Sequence, residues 1–382
     1  MKTPCILTVF VALAAPALAR EAVSGGVPGR EAAGYTWLER AGQDREQERE
    51  RIERERAREQ AERDRDRARE QAERDRARQR GRQDGIEETE RTTRTVRIGA
   101  NGELLLANVA GDITITRGGG SEAAVEIVKT ARGRTSEEAR EMLGLVTVDV
   151  VERGPRAEVK TRYPLGDEMR RTNRRNLHVM VNYNVTVPPG TRVRANSISG
   201  SVSAKDIKGD VALKSVSGTV RIVNGGGLTE AESISGNIEV GETELSSLSA
   251  SSASGNVMLR RVKARQLELN SISGSVVLDD VECPRVEAQT VSGDVKFGGP
   301  LPKNSRYEFS SHSGSVTVAI GGSGFEVEAT SFSGSVRSDF PLGGDAERVR
   351  RGPGRSLRGV VGDGSAVLEL TTFSGNIVIT KR

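Results

Sequence analysis

From residue 95 to the C-terminus, apolar and polar residues alternate in short runs with a period of two, the pattern of half-buried strands. Runs at 123–130, 145–151, 157–163 and 177–187 follow it, with turn residues between them. One stretch departs from it. Thr135-Ser136-Glu137-Glu138, followed by Ala139, Met142 and Leu143, predicts a short helix opened by a Thr-x-x-Glu cap. From Ser197 the alternation becomes a repeat, Ser/Thr-φ-Ser-Gly-x-Val/Ile, in nine copies. Its glycines fall at 200, 218, 236, 255, 274, 293, 314, 334 and 375. A period near 20 residues predicts stacked rungs, each too small to bury its apolar face alone. Residues 104–115, with Gly111 in the glycine place, look like a degenerate tenth copy.

Aligned on the glycine, position +2 is Val or Ile in every copy, and +4 is mostly apolar. Position −2 is Ile198, Val216, Ile234, Ala253, Ile272, Val291, His312, Phe332 and Phe373, apolar in eight of nine. Positions −2, +2 and +4 share parity in an extended chain, so all three are expected to face the core. The glycines should stack where a side chain would clash or the backbone bends, and the −1 serines should form a hydroxyl ladder beside them. The expected corner ladder is Ser199-Gly200, Ser217-Gly218, Ser235-Gly236, Ser254-Gly255, Ser273-Gly274, Ser292-Gly293, Ser313-Gly314, Ser333-Gly334 and Ser374-Gly375. The +1 residues vary among Ser, Thr, Asn and Asp. As an outward ladder they are the recognition candidates.

The 41-residue step between the last two copies contains an Arg- and Gly-rich insertion at 341–364. Arg348, Arg350, Arg351, Arg355 and Arg358 are its candidate contacts for an acidic ligand, against the plainer reading of a solvated loop.

Ahead of the strands, residues 43–80 hold 14 Arg and 13 acidic residues without Gly or Pro. The block at 57–65 recurs unchanged at 68–76, and opposite charges fall three and four residues apart, as in Glu59 and Arg63. A charged spacer helix of about 57 Å is expected at 1.5 Å per residue. Its best heptad seam carries only Ala, Asp and Gln, too small and polar to drive a strong coiled coil. Residues 1–19, with Lys2, an apolar run and Ala17-Leu18-Ala19, read as a signal peptide; residues 20–42 read as a flexible segment. Cleavage would leave Cys283 as a single thiol, unable to form an internal disulfide. No other run is long and apolar enough for a membrane span.

The net charge of +4 over 382 residues gives no basis for nucleic-acid binding. Two isolated histidines, His178 and His312, have no Cys or carboxylate at ligand spacing, so neither a metal nor a cofactor is expected.

Tyr183-Asn184-Val185-Thr186-Val187-Pro188-Pro189-Gly190 followed by the Ser-Gly repeat resembles a bacterial adhesin-type domain family of unknown function, over about residues 95–382. The resemblance implies a parallel β-solenoid in an exported or envelope-associated protein and brings no catalytic residues. The expected architecture is therefore all-β. A lead-in and capping region at 95–190 precedes a right-handed parallel β-solenoid at 191–382. The expected function is structural or adhesive binding of envelope or surface components (a glycan or an envelope protein) through a repetitive outer face. The alternatives are a polysaccharide-active β-helix enzyme, for which Asp279, Asp280 and Asp294 are the thin carboxylate candidates, and an envelope-stress accessory protein acting through a protein partner.

Overall fold

The structure is a computed structural model that describes residues 60, 85–164, 177–321, 324–341 and 355–382. The expected signal peptide, the flexible segment and, apart from Gln60, the charged helix lie outside the described residues. So do Arg348, Arg350 and Arg351.

The described residues form an all-β, solenoid-like fold whose strands belong to one large, nearly closed sheet. Each repeat supplies a strand before the Ser-Gly bend and a strand after it. The pre-bend strands stack in parallel register, with Ser197 on Ser215, Ser215 on Ser233, Ser233 on Ser252 and Ser252 on Ser271. The post-bend strands form a second parallel ladder, Val202 on Val220 on Ile238 on Val257 on Val276. Parallel in-register stacking follows from the sequence, because equal periods place equal residues at equal heights. The degenerate copy is a true rung: Asn108 pairs with Ser197 and Ile113 with Val202.

The core lies between the two ladders. The post-bend ladder contributes the +2 and +4 side chains, such as Val257 and Leu259. The pre-bend ladder contributes positions −7 and −5, such as Leu267 and Leu269; all four are fully buried. Near the C-terminal end the core turns aromatic, with Phe297, Tyr307 and Phe309 packed at centroid distances of 5.1–6.0 Å. Tyr307 donates its hydroxyl to the Cys283 carbonyl at 2.7 Å.

A second corner closes the other side of the rungs, at position +6. Asp206, Asn224, Glu242, Arg261 and Asp280 all adopt left-handed backbone there, with φ between 50° and 61°. Gly299 stands at the same place in the following rung, where an added Cβ would press on the Val281 backbone.

Antiparallel strands end the stack and prevent open parallel edges. On the N-terminal side Thr147–Arg153 pairs with Arg156–Arg162, and Ile86–Val96 pairs with Ala123–Gly133. The expected helix is Ser136–Leu145. Thr135 accepts a hydrogen bond from the Glu138 N–H at 3.1 Å, and Ala139, Met142 and Leu143 are buried. On the C-terminal side Arg355–Val361 runs antiparallel to Phe325–Ser331.

The last rung in sequence is not the last in space. The strand Ala366–Thr372 lies between Arg306–Ser311 and Phe325–Ser331, and Ile377–Lys381 lies between Val316–Ile320 and Val336–Ser338. The chain lays down the outer rung first and then returns to fill the gap. The described part of the 41-residue step thus holds an antiparallel edge strand and the strand that fills the gap.

Candidate binding groove

Each glycine of the repeat sits directly under the carbonyl of the glycine one rung before. A Cβ on Gly255 would fall well inside contact distance of the Gly236 carbonyl oxygen, and the other repeat glycines are similarly placed on their neighbours. Only Gly200 among the nine has positive φ, so close stacking rather than backbone conformation demands glycine at the rest.

The hydroxyl that serves this corner is not the −1 serine. All nine −1 serines are exposed. The −3 residue is buried, and in every copy but Ser197 it turns its hydroxyl onto the glycine carbonyl of the adjacent rung. Ser215 bonds Gly200 at 2.9 Å, Ser271 bonds Gly255 at 3.1 Å, Thr290 bonds Gly274 at 2.9 Å and Thr372 bonds Gly314 at 2.8 Å. In the degenerate rung the Asn108 amide takes this place on its own Gly111 carbonyl at 2.9 Å.

The +1 ladder is also committed to the fold. Asn237 accepts from the Asn256 N–H, and Asn256 accepts from the Ser275 N–H, each at 2.9 Å; Asp294 accepts from the Ser315 N–H at 3.0 Å. These side chains join rung to rung, which corrects their expected role as a free recognition surface.

The −2 residues do not face the core. Ile198, Val216, Ile234, Ile272, Val291, Phe332 and Phe373 are 41–60% exposed. The physical reason is a phase shift. Positions −3 and +2 are both buried although five residues apart, so the bend at Ser-Gly changes the alternation by one residue. The −2 side chains are thereby turned outward while their backbone stays satisfied. The Ser254 N–H bonds the Ile234 carbonyl at 2.8 Å, and the Ser273 N–H bonds the Ala253 carbonyl at 3.0 Å.

The outward −2 side chains stand in register as one apolar stripe running along the stack from Val109 to Phe332. Ten rungs at about 4.8 Å per step make it about 43 Å long. It floors a groove of about 1070 Å³. The −4 residues form one border, among them Asn196, Lys214, Asn270 and Gln289. Lys214 bridges Glu230 at 2.9 Å and Glu232 at 3.0 Å. The hydrogen bond with Glu230 pushes the lysine pKa up and the Glu230 carboxyl down. At the C-terminal end the stripe becomes aromatic. The His312 and Phe373 rings stack at 4.9 Å, and Phe373 and Phe332 stack at 4.7 Å, each pair 6° from parallel. His312 therefore continues the stripe as a flat ring.

The other sequence candidates lie elsewhere. Asp279 and Asp280 are exposed at the second corner, 3.7 and 3.8 Å from Arg382, and Asp294 belongs to the +1 ladder. None of the three lines the groove. Arg355 and Arg358 lie on the antiparallel edge strand, where Arg358 pairs with Glu328 at 2.8 Å. Cys283 is fully buried; desolvation pushes its thiol up to about 11, so it stays protonated at neutral pH. Among the described residues no group of His, Cys, Asp and Glu could hold a metal ion, and no helix is long and apolar enough to cross a membrane.

The rung architecture corresponds to a known family model, Toastrack DUF4097, which matches residues 102–380. The chain belongs to the Toastrack DUF4097 family. That family has no established function and indicates no catalytic activity. No curated protein matches this Toastrack chain. Among solved structures it is similar to a candidate lipid binding protein from Parabacteroides distasonis, at 13% identity over 75% of this chain and 96% of that one, with a TM-score of 0.44. It is also similar to a candidate adhesin from Bacteroides fragilis, at 12% identity over 77% and 97% of the two chains, with a TM-score of 0.39. A candidate cell adhesion protein from Clostridium sporogenes matches at 11% identity over 77% of this chain and all of that one, with a TM-score of 0.21.

Two features of the rungs carried a sequence signal that parity alone obscured. The buried Ser/Thr at −3 is as regular as the serine at −1, and two small polar residues flanking an apolar one mark a bend rather than a strand. Asp and Asn at +6 in three of five rungs marked the left-handed corner.

Proposed function

We propose that this protein is an exported, non-catalytic binding protein that holds an elongated envelope or surface component along the −2 groove of a right-handed parallel β-solenoid. One observation carries the reading: an apolar stripe about 43 Å long is kept at the surface although its backbone is fully used by the fold. Exposed apolar side chains in continuous register are costly to solubility and mark interaction sites. Ser, Thr, Asn and Gln border the stripe and suit a ligand with a polar edge and an apolar body. At the far end Arg355, which pairs in register with Ser331 on the antiparallel edge strand, adds a cationic contact, whereas Arg358 is already paired with Glu328.

The test compares the full chain with the variant Val216→Asp, Ile234→Asp, Ile272→Asp in binding to washed bacterial envelopes and to Nile red, a neutral apolar dye. The parent should retain both and the variant should lose both by tenfold or more, with an unchanged far-UV circular dichroism spectrum. Equal binding by parent and variant would overturn the groove assignment.

A further inference from the structure

The pre-bend ladder presents three outward positions on each strand, −2, −4 and −6. In five neighbouring rungs position −6 is glutamate. Glu268 pairs in register with Glu287, Glu287 with Glu308, Glu308 with Glu369, and Glu369 with Glu328. Carboxylates directly opposite on adjacent strands repel one another, so such a ladder is disfavoured by folding alone. Two of the five are neutralised, Glu369 by Arg306 at 2.6 Å and Glu328 by Arg358 at 2.8 Å. Among the described residues, no cation forms an ion pair with Glu268, Glu287 or Glu308, although Arg285 lies on the same face two residues from Glu287. Amide donors steady two of the three. Gln289 donates to Glu287 at 2.7 Å, and Asn270 donates to Glu268 at 3.4 Å.

The strands that carry these three carboxylates lead directly into Ile272, Val291 and His312 of the groove. Positions −2 and −6 are about 13 Å apart along a strand, and the rungs repeat at about 4.8 Å. The face is therefore a dry stripe, a neutral amide and hydroxyl stripe, and an acidic stripe, all parallel to the stack. An α-helix with its side chains is about 10–12 Å across, so a helix lying along the stack on the dry stripe stops about 1–3 Å short of the acidic one, a gap that extended Lys or Arg side chains span. We propose that the C-terminal half of this groove takes a cationic amphipathic helix, its apolar face on Ile272, Val291 and the His312–Phe373–Phe332 stack and its Lys or Arg side chains on Glu268, Glu287 and Glu308. The charge sign separates this occupant from the other apolar ones. An anionic membrane surface is repelled by the acidic stripe, and a neutral acyl chain makes no use of it. The proposal rests on the groove reading above and adds the identity of its occupant.

The experiment uses the full chain and two fluorescein-labelled 18-residue helical peptides, one of Leu and Lys and one of Leu and Glu with the same apolar face, read by fluorescence anisotropy. Nile red binding reports the groove itself. The Leu/Lys peptide should bind, weaken tenfold or more in Glu268→Gln, Glu287→Gln, Glu308→Gln, and weaken again as salt is raised. Nile red binding should be unchanged in that variant, because only carboxylates outside the apolar floor are altered. Binding of the Leu/Glu peptide as tightly as the Leu/Lys peptide, or undiminished Leu/Lys binding by the glutamine variant, overturns the proposal. If neither peptide binds while Nile red still does, the helix is the wrong occupant and the groove reading stands. If Nile red fails as well, both fall.

Discussion

The hydroxyl at −3, rather than the more conspicuous serine at −1, should hold one rung on the next, and Ser271 is the place to measure it. Its side chain is 5% exposed and donates to the Gly255 carbonyl at 3.1 Å. That carbonyl lies at the bend, and no backbone N–H outside the strand ladders bonds it. Replacing Ser271 with Val removes the donor and leaves the carbonyl unpaired, a loss of about 1–3 kcal/mol. Replacing it with Thr keeps the hydroxyl in nearly the same volume. The site has room for the extra methyl, because Thr290 occupies the equivalent place one rung on and bonds Gly274 at 2.9 Å. The informative quantity is therefore the difference between Ser271→Thr and Ser271→Val, in which packing cancels. About 2 kcal/mol corresponds to a difference of about 4 °C in Tm, at about 2 °C per kcal/mol for a chain of this size. Thermal unfolding followed by far-UV circular dichroism on the full chain reads it directly. Ser273→Ala, at an exposed −1 position, should change stability by no more than about 0.5 kcal/mol. A valine variant as stable as the threonine variant, or a Ser273→Ala loss as large as that of Ser271→Val, would refute the assignment.

Two further outcomes follow from the same geometry. Gly255→Ala should cost about 3 kcal/mol or more, since its Cβ meets the Gly236 backbone, while Gly241→Ala, whose nearest neighbour is 3.8 Å away, should be near neutral; urea-unfolding midpoints separate the two. Cys283, raised to about 11 by burial against an ordinary thiol value of 9.0, favours the folded state below pH 9 and loses that contribution as pH climbs toward 11. Stability against pH should fall more steeply between those limits in the parent than in Cys283→Ala, and equal slopes would remove the thiol from the account.

The repeat was legible because it is a matter of counting. Equal spacing gave the parallel register, Val and Ile at +2 gave the core of the second ladder, and the glycines were read as sites of close approach. The site was misjudged at Ile234 and its equivalents because parity was carried through a bend. Alternation predicts a facing only within a continuous strand, and Ser-Gly interrupts one. The +1 ladder misled for a related reason: variability among Ser, Asn and Asp suggested free choice, whereas each of these side chains can accept the next rung's N–H. The placement of Ala366–Thr372 was beyond sequence reasoning, since position in the stack need not follow order along the chain.

That placement has a consequence for how the molecule comes into being. Through the middle of the stack a rung bonds the one made about 19 residues earlier, as Asn256 does with Asn237, and assembly there can proceed like closing a zipper during synthesis. Asn376 instead reaches back 61 residues to Ser315. The outer rung cannot rest on its neighbour until residues 366–381 arrive, so the distal end must wait, with a slot one strand wide, for that segment. Completion is a late event that must close a 61-residue loop, and it makes residues 366–381 the keystone of this end of the stack rather than its tail.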